Sequence, residues 1–253
     1  MSRVSKVLPF DLALAVVALA IFAASCNSTN TQYRIVNAMA FSPQTDIDIY
    51  VGAAPPASPT FPGVGLGSTE PGSGYQKGSS GSQSLEVFQT GTTTNPYINS
   101  TLNLGSGNQY TVVLAGNSAQ SGSTYPFGAQ VVQDTNPTPT SGDVEFRILD
   151  ASPSTPSADV YVGDPTFGCC PSAAKIASGL SYPTSGGSGN FNSGYVNVGV
   201  PTSNSLGVWI TYAGQQTVIA STTYTVSAGN LYTVVLVDQS SGGFPPQLLQ
   251  LTP

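Results

Sequence analysis

From Tyr33 onward, apolar and polar residues alternate along the chain in short stretches broken by Gly, Pro, Ser and Asn. Ile47-Asp48-Ile49-Tyr50-Val51 and Leu206-Gly207-Val208-Trp209-Ile210 are representative, and a period of two is the mark of a half-buried strand. In the first half this pattern predicts strands over Tyr33–Ala38, Asp46–Gly52, Leu85–Gln89, Tyr97–Leu102, Gln109–Ala115 and Ala129–Gln133. In the second half it predicts Val144–Leu149, Ala158–Gly163, Tyr195–Val200, Leu206–Tyr212, Thr217–Ala220, Tyr224–Ser227, Leu231–Val237 and Gln247–Leu251. Ala53 to Ser84, rich in Gly, Pro and Ser, reads as loop with short edge strands. Ala173 to Leu180 reads as a helical turn or a short strand. No segment carries a convincing helical period.

The pattern occurs twice. Tyr33 to Gly52, YRIVNAMAFSPQTDIDIYVG, is echoed by Phe146 to Gly163, FRILDASPSTPSADVYVG. Gly107-Asn108-Gln109-Tyr110-Thr111-Val112-Val113-Leu114 returns as Gly229-Asn230-Leu231-Tyr232-Thr233-Val234-Val235-Leu236, and Phe127 to Gln133 returns as Phe244 to Gln250. The units run 33–139 and 146–253, with 140–145 between them. Two copies of domain size are two domains rather than a solenoid, whose period is roughly 20 to 50 residues. Each is expected to be an all-β sandwich of about seven strands that buries alternate residues.

Residues 1–25 carry Arg3 and Lys6, then an apolar run from Leu12 to Ala24, then small residues, which is the pattern of a secretory signal peptide. The run is too short to cross a bilayer, which takes about 20 residues. Ala23-Ala24-Ser25-Cys26 resembles the lipobox of bacterial lipoproteins, with Ala where that family usually has Leu. The resemblance implies a lipid on Cys26, a polar tether over residues 26–32, and a place in the cell envelope, at the outer membrane or cell surface rather than the inner membrane. A membrane is thus the first expected partner.

Composition then removes whole classes of function. Of the 253 residues only 7% are charged, where a soluble domain carries roughly 25%. Beyond the leader the cations are Arg34, Lys77, Arg147 and Lys175, too few to neutralise phosphates, so no nucleic acid is expected. There is no His at all, which excludes Ser-His-Asp and Cys-His catalysis and imidazole metal sites. A carboxylate-dependent glycan hydrolase survives as the alternative activity. Its candidate acids are Asp46, Asp48, Glu86, Asp143, Glu145, Asp150, Asp159, Asp164 and Asp238, and their spacing singles out no pair. No catalytic residue, cofactor or metal is assigned; the acid-bearing loops at Asp143–Glu145 and Asp159–Asp164 lack a calcium-loop pattern.

Four features remain. Arg34 with Asp48, and Arg147 with Asp159, recur in both units, which predicts a structural Arg–carboxylate pair in each domain; an anion-binding Arg is the functional alternative. Cys169-Cys170 stands in a loop the first unit lacks, and a vicinal disulfide is expected there, against two free thiols or links to another chain. Tyr110 and Tyr232, each after a Gly-Asn turn, resemble the tyrosine corner of immunoglobulin-like sandwiches. Trp209 and Tyr212, with Tyr195 and Phe191 nearby, could stack on sugar rings, against the alternative that Trp209 packs in the core.

The Arg-aliphatic-aliphatic-x-Ala start, the Asp-aliphatic-Tyr-Val-Gly strand and the Gly-Asn-x-Tyr-Thr-Val-Val-Leu strand together resemble bacterial DUF4397 proteins over nearly the whole mature chain. That family often has His-Ala-Ser-Pro in the first turn, where this chain has Asn37-Ala38-Met39-Ala40 and Asp150-Ala151-Ser152-Pro153. The resemblance implies exported or surface-anchored repeat domains of unknown function. The expected fold is two tandem immunoglobulin-like (transthyretin-like) β-sandwich domains after a signal peptide. The expected function is non-catalytic, a binding, adhesion or scaffolding module whose partner is an envelope glycan or a surface protein, with an accessory subunit of a surface or secretion assembly as a further alternative.

Overall fold

The computed structural model describes residues 30–55, 57–118, 126–155, 157–170, 172–183, 190–240 and 243–251. The signal segment and Cys26 lie outside the described residues. The first repeat contains β1 (Asn30–Ala40), β2 (Ile47–Val51), β3 (Phe61–Val64), β4 (Thr69–Glu70), β5 (Gln76–Ser79), β6 (Gly81–Gln89), β7 (Ile98–Leu104), β8 (Gln109–Asn117) and β9 (Gly128–Gln133). The second contains β10 (Asp143–Ala151), β11 (Ala158–Gly163), β12 (Ala174–Leu180), β13 (Val196–Gly199), β14 (Ser205–Tyr212), β15 (Val218–Thr225), β16 (Leu231–Val237) and β17 (Gln247–Leu251). No α-helix occurs among the described residues.

Each repeat folds into two sheets with the same strand logic. The inner sheets run β4-β1-β8-β9, with β5 also on β1, and β13-β10-β16-β17. The outer sheets run β3-β2-β6-β7 and β12-β11-β14-β15. At the centre of each inner sheet lies a parallel pair, β1 with β8 and β10 with β16, while the other neighbours are antiparallel. Ala173–Leu180, left open between turn and strand, is largely the edge strand β12, and the stretches predicted over Thr217–Ala220 and Tyr224–Ser227 join into β15. The connection between the named strands of the two repeats is 134–142, because β9 ends at Gln133 and β10 begins at Asp143, which pairs with Gly199 of β13.

Alternation puts one face of each sheet into its own sandwich. Tyr33, Ile35, Met39, Ile47, Ile49, Leu85, Val87, Val112 and Leu114 fill the first core, and Phe146, Ile148, Val160, Val162, Val208, Ile210, Val234 and Leu236 fill the second. The inner strands, however, are buried on both faces. Val36, Ala38, Val113, Ala115 and Val132 pack with Leu149, Ala151, Tyr182, Phe191, Val235, Val237 and Leu251 in a third core between the two inner sheets. The four sheets therefore stack as outer, inner, inner, outer. At roughly 1.5 to 3 kcal/mol for each large aliphatic side chain removed from water, this third layer joins the repeats firmly.

Candidate functional site

The outer sheet of the second repeat has one face on the second core and one in solvent. On β14, Leu206, Val208 and Ile210 point to the core, so Gly207, Trp209 and Thr211 take the other face. Trp209 is half-buried there. Its six-membered ring lies over Gly207: a Cβ at that glycine would meet Trp209 Cη2 at 2.3 Å and Cζ2 at 2.7 Å. Only a residue without a side chain lets the indole lie down on the strand. Tyr161 of β11 stands directly opposite Trp209, and Ser221 of β15 flanks it on the other side. Lys175 of β12, opposite Tyr161, holds its ammonium 5.3 Å from the Tyr161 ring centre.

That face is framed by Asp159, which Lys175 Nζ reaches at 2.6 Å. Asp159 also accepts from the backbone N–H groups of Gly179 and Gly214, each at 3.0 Å, and from the Ser178 hydroxyl. Burial pushes its carboxyl up, but Lys175 and these donors outweigh burial and hold it down at about 2. The repeat explains the residue. Asp48 likewise accepts from the N–H groups of Gly63 and Gly91, at 2.8 and 3.0 Å, and from Thr90. Gly63, Gly91, Gly179 and Gly214 all have φ between 62° and 79°, so each aspartate ties two left-handed glycine turns to the strand between them.

The Arg34–Asp48 and Arg147–Asp159 pairs expected from the repeat are therefore not formed. Arg34 alternates with core residues Tyr33 and Ile35, and Asp48 with Ile47 and Ile49, so each points away from the core they share. The arginines lie on the seam between the inner sheets. Arg34 Nε donates to Thr111 at 2.9 Å and Arg147 Nε to Thr233 at 3.2 Å, each Thr standing opposite its Arg in the parallel pair. Arg147 also donates to Asp134 at 2.5 Å, both side chains being almost wholly buried. Thr111 and Tyr75 donate to the other Asp134 oxygen at 2.7 and 2.9 Å. Each guanidinium lies over a tyrosine ring, Arg34 over Tyr75 at 5.0 Å and Arg147 over Tyr195 at 4.4 Å. Burial, ahead of the nearby charges, pushes the Tyr75 hydroxyl far up. Arg34, Tyr75, Tyr195 and Thr233 line a cleft of about 350 Å³. Asp134 is the partner sequence reasoning missed, because it closes its strand in one repeat only.

The remaining candidates fall as follows. Tyr110 accepts from the N–H of Gly105 at 2.7 Å and Tyr232 from that of Ser227 at 2.9 Å, both five residues back. Cys169 and Cys170 are joined, S–S 2.04 Å, in the loop after a 3₁₀ turn at Pro165–Phe167. That turn lies beside β14 and leaves Phe167 71% exposed. Tyr212 packs against the second core, so it is not beside Trp209; Tyr161 is the neighbour instead. Phe191 belongs to the third core. In the first repeat the outer face differs: Glu86 stands opposite Tyr50 where Trp209 stands opposite Tyr161, and Tyr50 and Phe88 are both buried. Among the described residues, the outer-sheet aromatics are open to solvent in the second repeat and buried at Tyr50 and Phe88 in the first.

The fold and its duplicated seam define a tandem β-sandwich protein. The family model of the domain of unknown function DUF4397 matches the chain twice, over residues 31–161 and 144–252, and the chain belongs to that family. No curated protein matches it. Among solved structures it is similar to streptococcal family 41 carbohydrate-binding modules described for alpha-glucan recognition, at 11% identity over 88% of this chain and 98% of that one, with a TM-score of 0.29. A streptococcal virulence factor described for alpha-glucan binding matches at 8% identity over 86% and 96%, with a TM-score of 0.26. The Bacillus anthracis TIE protein matches at 8% identity over 83% of this chain and 34% of its own, with a TM-score of 0.23.

Proposed function

We propose that the protein is an exported, lipid-anchored, non-catalytic binding module of the cell envelope, and that the solvent face of its last outer sheet binds glycan. The observation that carries the reading is Trp209 laid over Gly207 beside Tyr161. A flat, half-exposed aromatic ring meets the C–H face of a sugar, while hydroxyl, ammonium and carboxylate groups around it serve the sugar hydroxyls. Ser221 and Lys175 supply such groups at the edges of the ring pair, and buried Asp159 holds the Lys175 ammonium in place. The surface is built on strands braced by the second core, so its geometry is fixed before a ligand arrives, which lowers the ordering cost of binding. The leader and Cys26 support the compartment. The acids Asp150 and Asp238 that sense one another are both fully buried and face no sugar.

Two experiments test the reading. Binding of the mature protein to an array of envelope glycans should be lost in Trp209→Ala, while a retained cooperative unfolding transition shows that the fold persists. Binding that survives the substitution overturns the platform. Intact mass and detergent partitioning of the native protein beside Cys26→Ala test the anchor: acylated, detergent-partitioning wild type and a water-soluble variant are expected, and two water-soluble proteins overturn it.

A further inference from the structure

Asn37 and Asp150 occupy the same place in the two repeats, four strand positions after Tyr33 and Phe146, and opposite Leu114 and Leu236 in the parallel pairs. Both are fully buried. Their side chains take the same pose: Asn37 Oδ1 accepts from the N–H of Met39, and Asp150 Oδ1 accepts from the N–H of Ser152, both at 3.0 Å and both two residues on. The second atom of Asn37 is an amide nitrogen, which donates to the carbonyl of Val64 at 2.9 Å. The second atom of Asp150 is Oδ2, and among the described residues it has no hydrogen-bond partner.

An ionised carboxylate in that seat is doubly unfavourable. It carries a charge into a dry site, and it offers only lone pairs where the first repeat uses a donor. The titratable groups around it add nothing positive. Asp238, at the end of β16, presses a like charge on it, and Tyr182, on the segment after β12, is a neutral phenol pushed up to about 12 by burial and by these two carboxyls. Asp238 has its own partners: Ser152 Oγ, Ser154 Oγ at 2.6 Å, and Asn117 Nδ2 of the first repeat at 2.6 Å. Thr155 shares a hydroxyl bond of 2.6 Å with Ser152. Asp238 thus has donors on both oxygens, and its bond to Asn117 crosses the seam.

We propose that Asp150 is held as the neutral carboxylic acid in the seat that Asn37 fills in the first repeat, and that charging it in alkaline solution loosens the clasp of Asp238 on Asn117 between the repeats. Burial first, then Asp238, raises the Asp150 carboxyl to about 8 against the bond from Ser152. The sign follows. The unfolded chain releases this proton near 3.8 and the folded chain near 8, so stability falls as pH rises across that interval.

The test follows wild type and Asp150→Asn. The infrared spectrum of wild type at neutral pH should show a protonated carboxyl band that the variant lacks. The Asn117 side-chain amide, followed by NMR, should shift with a midpoint near pH 8 in wild type and stay still in the variant. The variant should also melt higher than wild type at that pH. A carboxyl band that vanishes near the ordinary 3.8, or an Asn117 amide that moves alike in both proteins, overturns the proposal. If the variant does not fold, the infrared titration of wild type decides alone.

Discussion

Arg147 of the second repeat and Asp134 of the first meet at 2.5 Å in a seam where neither side chain sees solvent. The pair is held by neutral partners on both sides, Thr233 for the arginine and Thr111 and Tyr75 for the aspartate. Removing one member strands the other charge in a dry site, which costs about 3 to 5 kcal/mol. Asp134→Ala and Arg147→Met should each lower stability by that amount in denaturant melts. Since the pair lies between repeats, a double variant should cost much less than the sum of the two.

How far the sequence reached is clearest at this seam. The period of two located nearly every strand, and the duplicated motifs located the two sandwiches. The same alternation also held the answer that the Arg–Asp expectation missed. Arg34 between Tyr33 and Ile35, and Asp48 between Ile47 and Ile49, cannot face the same core and meet. Tyr-Thr-Val-Val-Leu, apolar on consecutive positions in both repeats, is the composition of a strand covered on both faces, which is the sign of the third core. What no pattern carried was the partner of each arginine, because a parallel strand far along the chain and an aspartate present in one repeat supply them. Trp209 was legible as an aromatic on the polar phase of its strand. Its setting over Gly207 was not, since that depends on a side-chain rotamer.

The duplicated aspartates predict a second energetic effect. Asp48→Ala removes the acceptor of two glycine N–H groups and should destabilise by about 2 to 3 kcal/mol, because bonds to a charged acceptor exceed neutral ones. Asp159→Ala should cost a similar amount and should also change the acid limb of stability. The folded carboxyl titrates at about 2 and the unfolded one near 3.8, so its contribution is complete above 3.8 and is lost as pH falls toward 2. Thermal melts across that window should be less steep in pH for Asp159→Ala than for wild type.

The two tyrosine corners make a smaller, paired prediction. Tyr110→Phe and Tyr232→Phe each remove one acceptor from a backbone N–H, that of Gly105 and of Ser227, and leave the ring in its core. Each should cost about 1 kcal/mol. The double variant should be additive, because the corners belong to separate sandwiches. Chemical denaturation with unchanged m-values would show that only the hydrogen bonds were lost.

Trp209 is the one tryptophan of the chain, so its fluorescence reports on the proposed platform directly. Gly207→Ala inserts a methyl carbon 2.3 Å from Cη2 of the indole, a distance at which the ring has to lift off the strand. Gly207 has ordinary extended backbone, so the substitution does not strain the chain itself; the cost is the displaced ring, about 1 to 3 kcal/mol. The lifted indole should be more exposed, with red-shifted emission and easier quenching by a small neutral quencher. Glycan binding should fall with it although Trp209 is still present, which separates the placement of the ring from its mere presence. If emission shifts while binding is unchanged, the flat setting of Trp209 serves packing of the sheet, and the glycan surface lies elsewhere.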